Sequence, residues 1–278
     1  MLLTKHKTTN GSRWAVDGHF LPPSLNLGML LEMPREKMFQ ALETLSEAEP
    51  ASGAVLSVPK GEEEAPIDPH QEVWAAGVTY LRSRDARKAE STAADMYQKV
   101  YEAGRPEIFS KSIGWRVSGN GAPIRIRKDS KWNVPEPELV LVINRHNEIV
   151  GYCAGNDVSS RDIEGENPLY LPQAKIYNGS CALGHGILLC EPDEIKDIPI
   201  RLKIQRADET IFDGEANTSS MKRTFTELVE FLTRELDFPR GVFLMTGTCL
   251  VPEDLTLQSD DLVLIQVGKL KIENHVRS

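Results

Sequence analysis

The sequence predicts a mainly β chain of the α+β class, with mixed sheets and a small N-terminal domain. Three observations carry this. Nine short apolar runs are separated by Gly, Pro and Asn rather than by regular helices. Only three segments carry helical spacing. One Pro- and acid-rich stretch, SVPKGEEEAPIDPHQ over 57–71, has the composition of a domain junction. The first helix is expected in PREKMFQALETLSEAE, with Pro34 in its first turn and Met38, Leu42 and Leu45 recurring along one face. Strands follow at VWAAGV (73–78), IFSKSI (108–113), PIRIR (123–127), ELVLVIN (138–144) and IVGYCAG (149–155). Further strands are expected at GHGILLC (184–190), IRLKIQR (200–206), GVFLMTG (241–247) and LVLIQVG (262–268). The other two helices are expected over 83–103 and 225–236.

At 278 residues the chain is long for one compact domain and short for two. The expected division is a small N-terminal domain, 1–68, and a catalytic domain, 69–278. A net charge of −9 without a long basic block argues against nucleic-acid or anionic-membrane partners. No apolar run reaches the roughly 18 residues of a membrane span, and the start does not read as a signal peptide. Cys153, Cys181, Cys190 and Cys249 form no CxxC, which disfavours thiolate zinc and suits reduced thiols in a cytoplasmic protein.

The stretch VPEPELVLVINRHNEIVGYCAGNDVSSRD places carboxylates at the ends of two buried-looking runs. Glu136 and Glu138 point the same way along one strand, because side chains alternate faces. RHNE reads as a hairpin turn. With His146 and Asn147 at its centre, opposed residues have numbers adding to 293, so Glu136 faces Asp157 and Glu138 faces Gly155. All three acids then share one face with a glycine leaving space among them, and a slip of one residue would remove Asp157. Three such charges need neutralising, and an all-oxygen site suits Mg²⁺, Mn²⁺ or Ca²⁺. The competing reading places the glutamates on a solvated edge, paired with Lys131 or Arg127.

The segments EPELVLVIN, GYCAGNDVSSRD, LPQAKIYNGSCALG and MTGTCLVP, in this order, resemble the fumarylacetoacetate hydrolase family over roughly 70–270. The resemblance implies a mixed β-sandwich roll, usually dimeric or of higher homo-oligomeric order. It also implies Mg²⁺ or another divalent ion on Glu136, Glu138 and Asp157, a functional lysine at Lys175 and a substrate-contacting threonine at Thr248. The family's hydrolases carry a water-activating His after the strand matching VWAAGV, whereas here no His occurs between His70 and His146. With GVTYLRSRDARKAES, RPEIFSK and IEGENPLYLPQAK, the chain is similar to the branch that dehydrates 2-keto-3-deoxy-D-arabinonate to 2,5-dioxopentanoate in pentose breakdown. In that branch the Glu of RPEIF reaches the metal site, which here is Glu107.

The resemblance thus implies a metal-dependent hydro-lyase acting on a small 2-oxo acid, with Glu107 and Lys175 as the acid/base pair. Arg161 either meets substrate oxygens or pairs with Asp162. The family's lid falls on 83–103, where Arg84, Arg87 and Glu90 are candidates to approach substrate. The alternatives are C–C hydrolysis of an acylpyruvate-type diketone, decarboxylation of oxaloacetate, and a non-catalytic module binding metal or 2-oxo acid.

Overall fold

The computed structural model describes residues 1–47, 62–82, 84–85, 94–252 and 255–278. In chain order its strands are β1 Leu2–Thr8, β2 Gly11–Val16, β3 His19–Phe20, β4 Glu63–Glu64, β5 Glu72–Gly77, β6 Glu107–Ile113, β7 Ile124–Arg125 and β8 Asn133–Val134. They continue as β9 Pro137–Ile143, β10 Ile149–Asp157, β11 Ser159–Ser160, β12 Cys181–Leu189 and β13 Pro199–Arg206. The last are β14 Glu209–Asn217, β15 Val242–Met245, β16 Leu262–Val267 and β17 Leu270–Arg277.

A ten-stranded sheet runs β3-β2-β1-β12-β10-β9-β15-β5-β6, with β4 paired to β1. A five-stranded sheet runs β14-β13-β16-β17-β7, and β11 pairs with β8. The two large sheets pack face to face. In β9 every residue from Pro137 to Ile143 is buried, because one face meets the second sheet and the other is covered as well. β17 instead alternates, burying Leu270, Ile272, Asn274 and Val276 and exposing the residues between them. Where β12 crosses β17, Gly184 lets the sheets approach, since a Cβ there would overlap Ile272.

The hairpin β9–β10 reaches the expected pairing by a different route. Glu138 opposes Gly155, Pro137 opposes Asn156, and the Asp157 N–H donates to the Glu136 carbonyl at 2.9 Å. At the turn, however, the Asn144 N–H donates to the Glu148 carbonyl at 3.0 Å, so the loop is centred on His146 alone. Asn147 closes that three-residue loop at φ 62. A bulge between Ile149 and Gly151 then inserts one residue and restores the register that brings Asp157 onto the glutamates' face. Gly155 does not leave open space among the acids. Val140 and Met245 fill it, and a Cβ there would meet both.

The expected strands are present, with PIRIR reduced to Ile124–Arg125, which lies parallel to β17. β1 to β4, β8, β11, β14 and β17 are additional. The first helix spans Arg35–Glu47 and the last Phe225–Leu232, where Thr224 caps the N-terminus by accepting from Glu227 N–H. Of the segment 83–103, Ala94–Glu102 is helical, while Arg87 and Glu90 lie outside the described residues. The N-terminal strands share the main sheet through β1 and β12, with Leu3 opposite Ile187. No helix among the described residues is long and apolar enough to cross a membrane.

The crossing at Gly184 sets a stability test. Gly184→Ala forces an overpacked contact on Ile272 and is expected to cost about 1–3 kcal/mol, read as a lower urea midpoint. An unchanged midpoint would show that the sheets are not in this contact.

Candidate active site

The hairpin and the strands beside it close around a cavity lined by Gly77, Val78, Glu107, Phe109, Glu136, Glu138, Asp157, Glu164, Lys175, Gly247 and Thr248, among others. Glu138 lies within β9, Glu136 just before it, and Asp157 ends β10. One oxygen from each lies within 4.8 Å of the others, and all three residues are buried. The prolines flanking Glu136 withhold backbone donors, and Asn156 Oδ1 accepts the Glu136 N–H at 3.1 Å.

Buried carboxylates this close require counter-charge. Lys175, the last residue of the helix Leu171–Lys175, donates to Glu136 Oε2 at 2.8 Å and to Asp157 Oδ2 at 3.0 Å. Lys111, fully buried on β6, lies 2.5 Å from Asp157 Oδ1 and also donates to the Val158 and Lys175 carbonyls. Arg161 opens the helix Arg161–Glu166 and donates to Glu136 Oε1 at 3.0 Å. The solvated-edge reading therefore fails, as Arg127 pairs with Asp129 instead. Arg161 does not pair with Asp162, which accepts from Ser130 Oγ and Lys131 N–H.

Glu138 is treated differently. Its carboxylate accepts the Gly247 N–H at 2.6 Å, and among the described residues no cation lies at ion-pair distance. Burial, then the charges of Asp157 and Glu136, push its pKa well above the usual carboxylate range. Asp157 is also buried, yet Lys111 and Lys175 hold its pKa below the ordinary value. The site is thus short of one positive centre beside Glu138. Lys111, Lys175 and Arg161 meet Glu136 and Asp157. Three buried carboxylates within reach of one another, offering oxygen donors alone, fit one hard divalent cation. The cysteines do not compete for it: all four are free and buried, and burial pushes Cys181 and Cys249 up to about 12.

Glu107 opens β6 opposite Gly77, and its carboxylate lies where a side chain at 77 would stand. Gly77 is therefore what admits this acid to the cavity wall. Thr248 lines the cavity, but its hydroxyl is held by the backbone at Pro137 and Leu250. Arg161 lies behind Glu136 and is not part of the lining. Arg84 pairs with Asp85 and stacks over Tyr101 at 5.0 Å.

Two residues escaped the sequence reading. Lys111 lies at a bulge in β6, where the pairing with β5 slips between Val73 and Trp74, so the alternation rule does not place its side chain. Glu164 follows Arg161 by three residues on one short helix and accepts from Ser159 Oγ at 2.7 Å.

The model of the fumarylacetoacetate hydrolase C-terminal domain matches residues 72–277. The chain belongs to the fumarylacetoacetate hydrolase family. Within this family it is 48% identical over 206 residues to a Haloferax volcanii protein named probable 2-keto-3-deoxyxylonate dehydratase, covering 73% of this chain and 70% of the relative. It is 44% identical over 213 residues to the 2-dehydro-3-deoxy-D-arabinonate dehydratase of Saccharolobus solfataricus, covering 74% and 70%. A structure of 2-keto-3-deoxy-D-arabinonate dehydratase complexed with magnesium and 2,5-dioxopentanoate superimposes with a TM-score of 0.80 at 33% identity, over 100% of this chain and 99% of that one. A hexagonal crystal form of 2-keto-3-deoxyarabinonate dehydratase gives 0.82 at 32% identity, with the same coverage.

Two outcomes test this electrostatic arrangement. Lys111→Met leaves Asp157 buried with one cation fewer and is expected to cost about 3–5 kcal/mol, measured by denaturant unfolding of the metal-free protein. Glu138 keeps its proton to higher pH in the metal-free fold than in the unfolded chain, so its ionisation opposes folding as pH rises through its folded pKa. A divalent ion requires the ionised form, so Mg²⁺ affinity should increase with pH until that pKa is passed. Calorimetry in buffers of differing ionisation enthalpy should show up to one proton released per Mg²⁺ below that pKa, and none from this group in Glu138→Gln.

Proposed function

We propose that the protein is a Mg²⁺-dependent hydro-lyase that dehydrates a 2-keto-3-deoxy sugar acid. Its best substrate on this reading is 2-keto-3-deoxy-D-arabinonate, converted to 2,5-dioxopentanoate. The observation that carries the proposal is the pairing of a buried triad, Glu136, Glu138 and Asp157, with the Glu107 carboxylate in the same cavity. The likeness to the two dehydratases supports the reaction class, and their differing named substrates, xylonate and arabinonate derivatives, are why one experiment must choose between them.

The triad would hold the ion, which when bound supplies Lewis-acid polarisation of the substrate keto oxygen. The chain's own residues then have distinct tasks. Glu107, fixed over Gly77, takes the C3 proton and returns a proton to the departing C4 hydroxyl, which leaves as water. Tautomerisation moves the unsaturation to the far carbon as an aldehyde. Lys175 spans Glu136 and Asp157 and serves as the partner in proton transfer. Thr248 is assigned to the substrate carboxylate, exchanging a backbone acceptor for it, and Arg161 acts on substrate through Glu136. Residues 1–68 form the N-terminal part of this enzyme and 69–278 its catalytic part, in a cytoplasmic homodimer or higher homo-oligomer. Hydrolysis is disfavoured because no histidine occurs among the described lining residues, so the water-activating group of the family's hydrolases has no counterpart there.

Glu107→Gln should lower kcat by about 10²–10⁴-fold while calorimetric Mg²⁺ affinity stays intact. Near wild-type turnover would remove Glu107 from the mechanism. Following 2,5-dioxopentanoate against pyruvate with pentonate, hexonate and acylpyruvate substrates separates dehydration from C–C cleavage.

A further inference from the structure

Val78 has a backbone conformation that its side chain opposes. Its φ is +55, in the left-handed region, where a β-branched residue is a genuine outlier and glycine would be free of strain. The surroundings fix it there. Thr79 Oγ1 donates to the Thr246 carbonyl at 2.6 Å, and the Lys222 N–H donates to the Thr79 carbonyl at 2.9 Å. Tyr80 bridges to Met221, and Gly247, at φ +95, packs directly against the Thr79 side chain. On the other side, Gly77 is paired with Glu107.

A strained residue of this kind persists where its side chain has a use. For Val78 that use is not the core. It is only 6% exposed, yet it stands outside the continuous hydrophobic cluster that takes in Ala76 and Tyr80. What it lines is the cavity, together with Glu107, Phe109 and the three acids. Of these lining groups, Val78 and Phe109 are the bulky apolar ones, and Phe109 already lies 6.0 Å from Lys175 Nζ.

We propose that Val78 is a specificity-determining residue, whose branched side chain is the apolar stop that limits the length of the 2-oxo acid chain. A divalent ion on the acids, with Lys175 beside it, would draw the substrate carboxylate and keto groups to that side of the cavity, leaving the carbon chain beyond C3 to meet Val78. This rests on the dehydratase reading for its natural substrate, although the stop itself concerns any 2-oxo acid. One methylene against such a wall is worth about 10- to 200-fold in discrimination.

The test compares wild type, Val78→Gly, Val78→Ala and Val78→Thr. With 2-keto-3-deoxy pentonate and hexonate, the hexonate-to-pentonate ratio of kcat/KM should rise at least about tenfold in the Gly and Ala variants. It should stay within a few-fold of wild type in Val78→Thr, which keeps the shape. Independently of turnover, calorimetric titration of the Mg²⁺-loaded proteins with pyruvate, 2-oxopentanoate and 2-oxohexanoate should show a steep loss of affinity from 2-oxopentanoate to 2-oxohexanoate only in wild type and Val78→Thr. Ratios and length profiles unchanged in the Gly and Ala variants would overturn the proposal. If wild type turns over neither keto-deoxy acid, the dehydratase reading fails, while the binding series still decides the role of Val78.

Discussion

Everything at this site follows from burying ionised carboxylates at the ends of two sheet strands. Water cannot solvate Glu136 and Asp157, which are 3% and 2% exposed, so the protein must supply their counter-charge. It does so from outside the hairpin. Lys111 comes from β6, Lys175 from one short helix and Arg161 from another, and each reaches a different oxygen. The acids are thus fixed by sheet register, and the flanking elements are placed by the need to reach them. Glu138 is the exception: its hydrogen bond comes from a backbone N–H, and among the described residues no cation lies at ion-pair distance from it.

Two glycines complete the arrangement by what they lack. At Gly77 the missing side chain gives the Glu107 carboxylate its seat. At Gly247 the missing side chain and positive φ let a backbone N–H meet Glu138 while Thr79 presses from behind. The same compression holds Val78 in its unfavourable conformation. The seat of Glu107, the Gly247 contact to Glu138 and the cavity wall are therefore linked through adjacent backbone, so displacement of 77–79 disturbs all three.

Much of this was legible in the sequence. The triad could be read because the side-chain alternation of a strand and the antiparallel pairing of a hairpin are rigid rules. The pairing proved right at the acids although the turn is centred one half-residue away, because the bulge at Val150 compensates. No rule of periodicity announces such a bulge. Strands with continuous apolar runs were found, whereas β14, whose residues are mostly exposed, and β1 to β3 carry too weak an apolar signal. Lys111 was hidden because a lysine in a strand reads as solvent-facing unless its partner is known. The seat of Glu107 over Gly77 depends on pairing between β5 and β6 across twenty-nine intervening residues, which local sequence does not encode.

The parallel pairing of β15 with β5 has a consequence for how the molecule comes into being. In the main sheet, β15 lies between β9, which positions the triad, and β5, which with β6 carries Glu107. Val73 finds its neighbour Phe243 only after most of the chain exists. Until then the two halves of the cavity have no common frame, and the acids are gathered without the group that faces them. Contacts of such long sequence separation form late and slowly. The two halves of the cavity are therefore joined only once Val242–Met245 has been made and paired between β9 and β5.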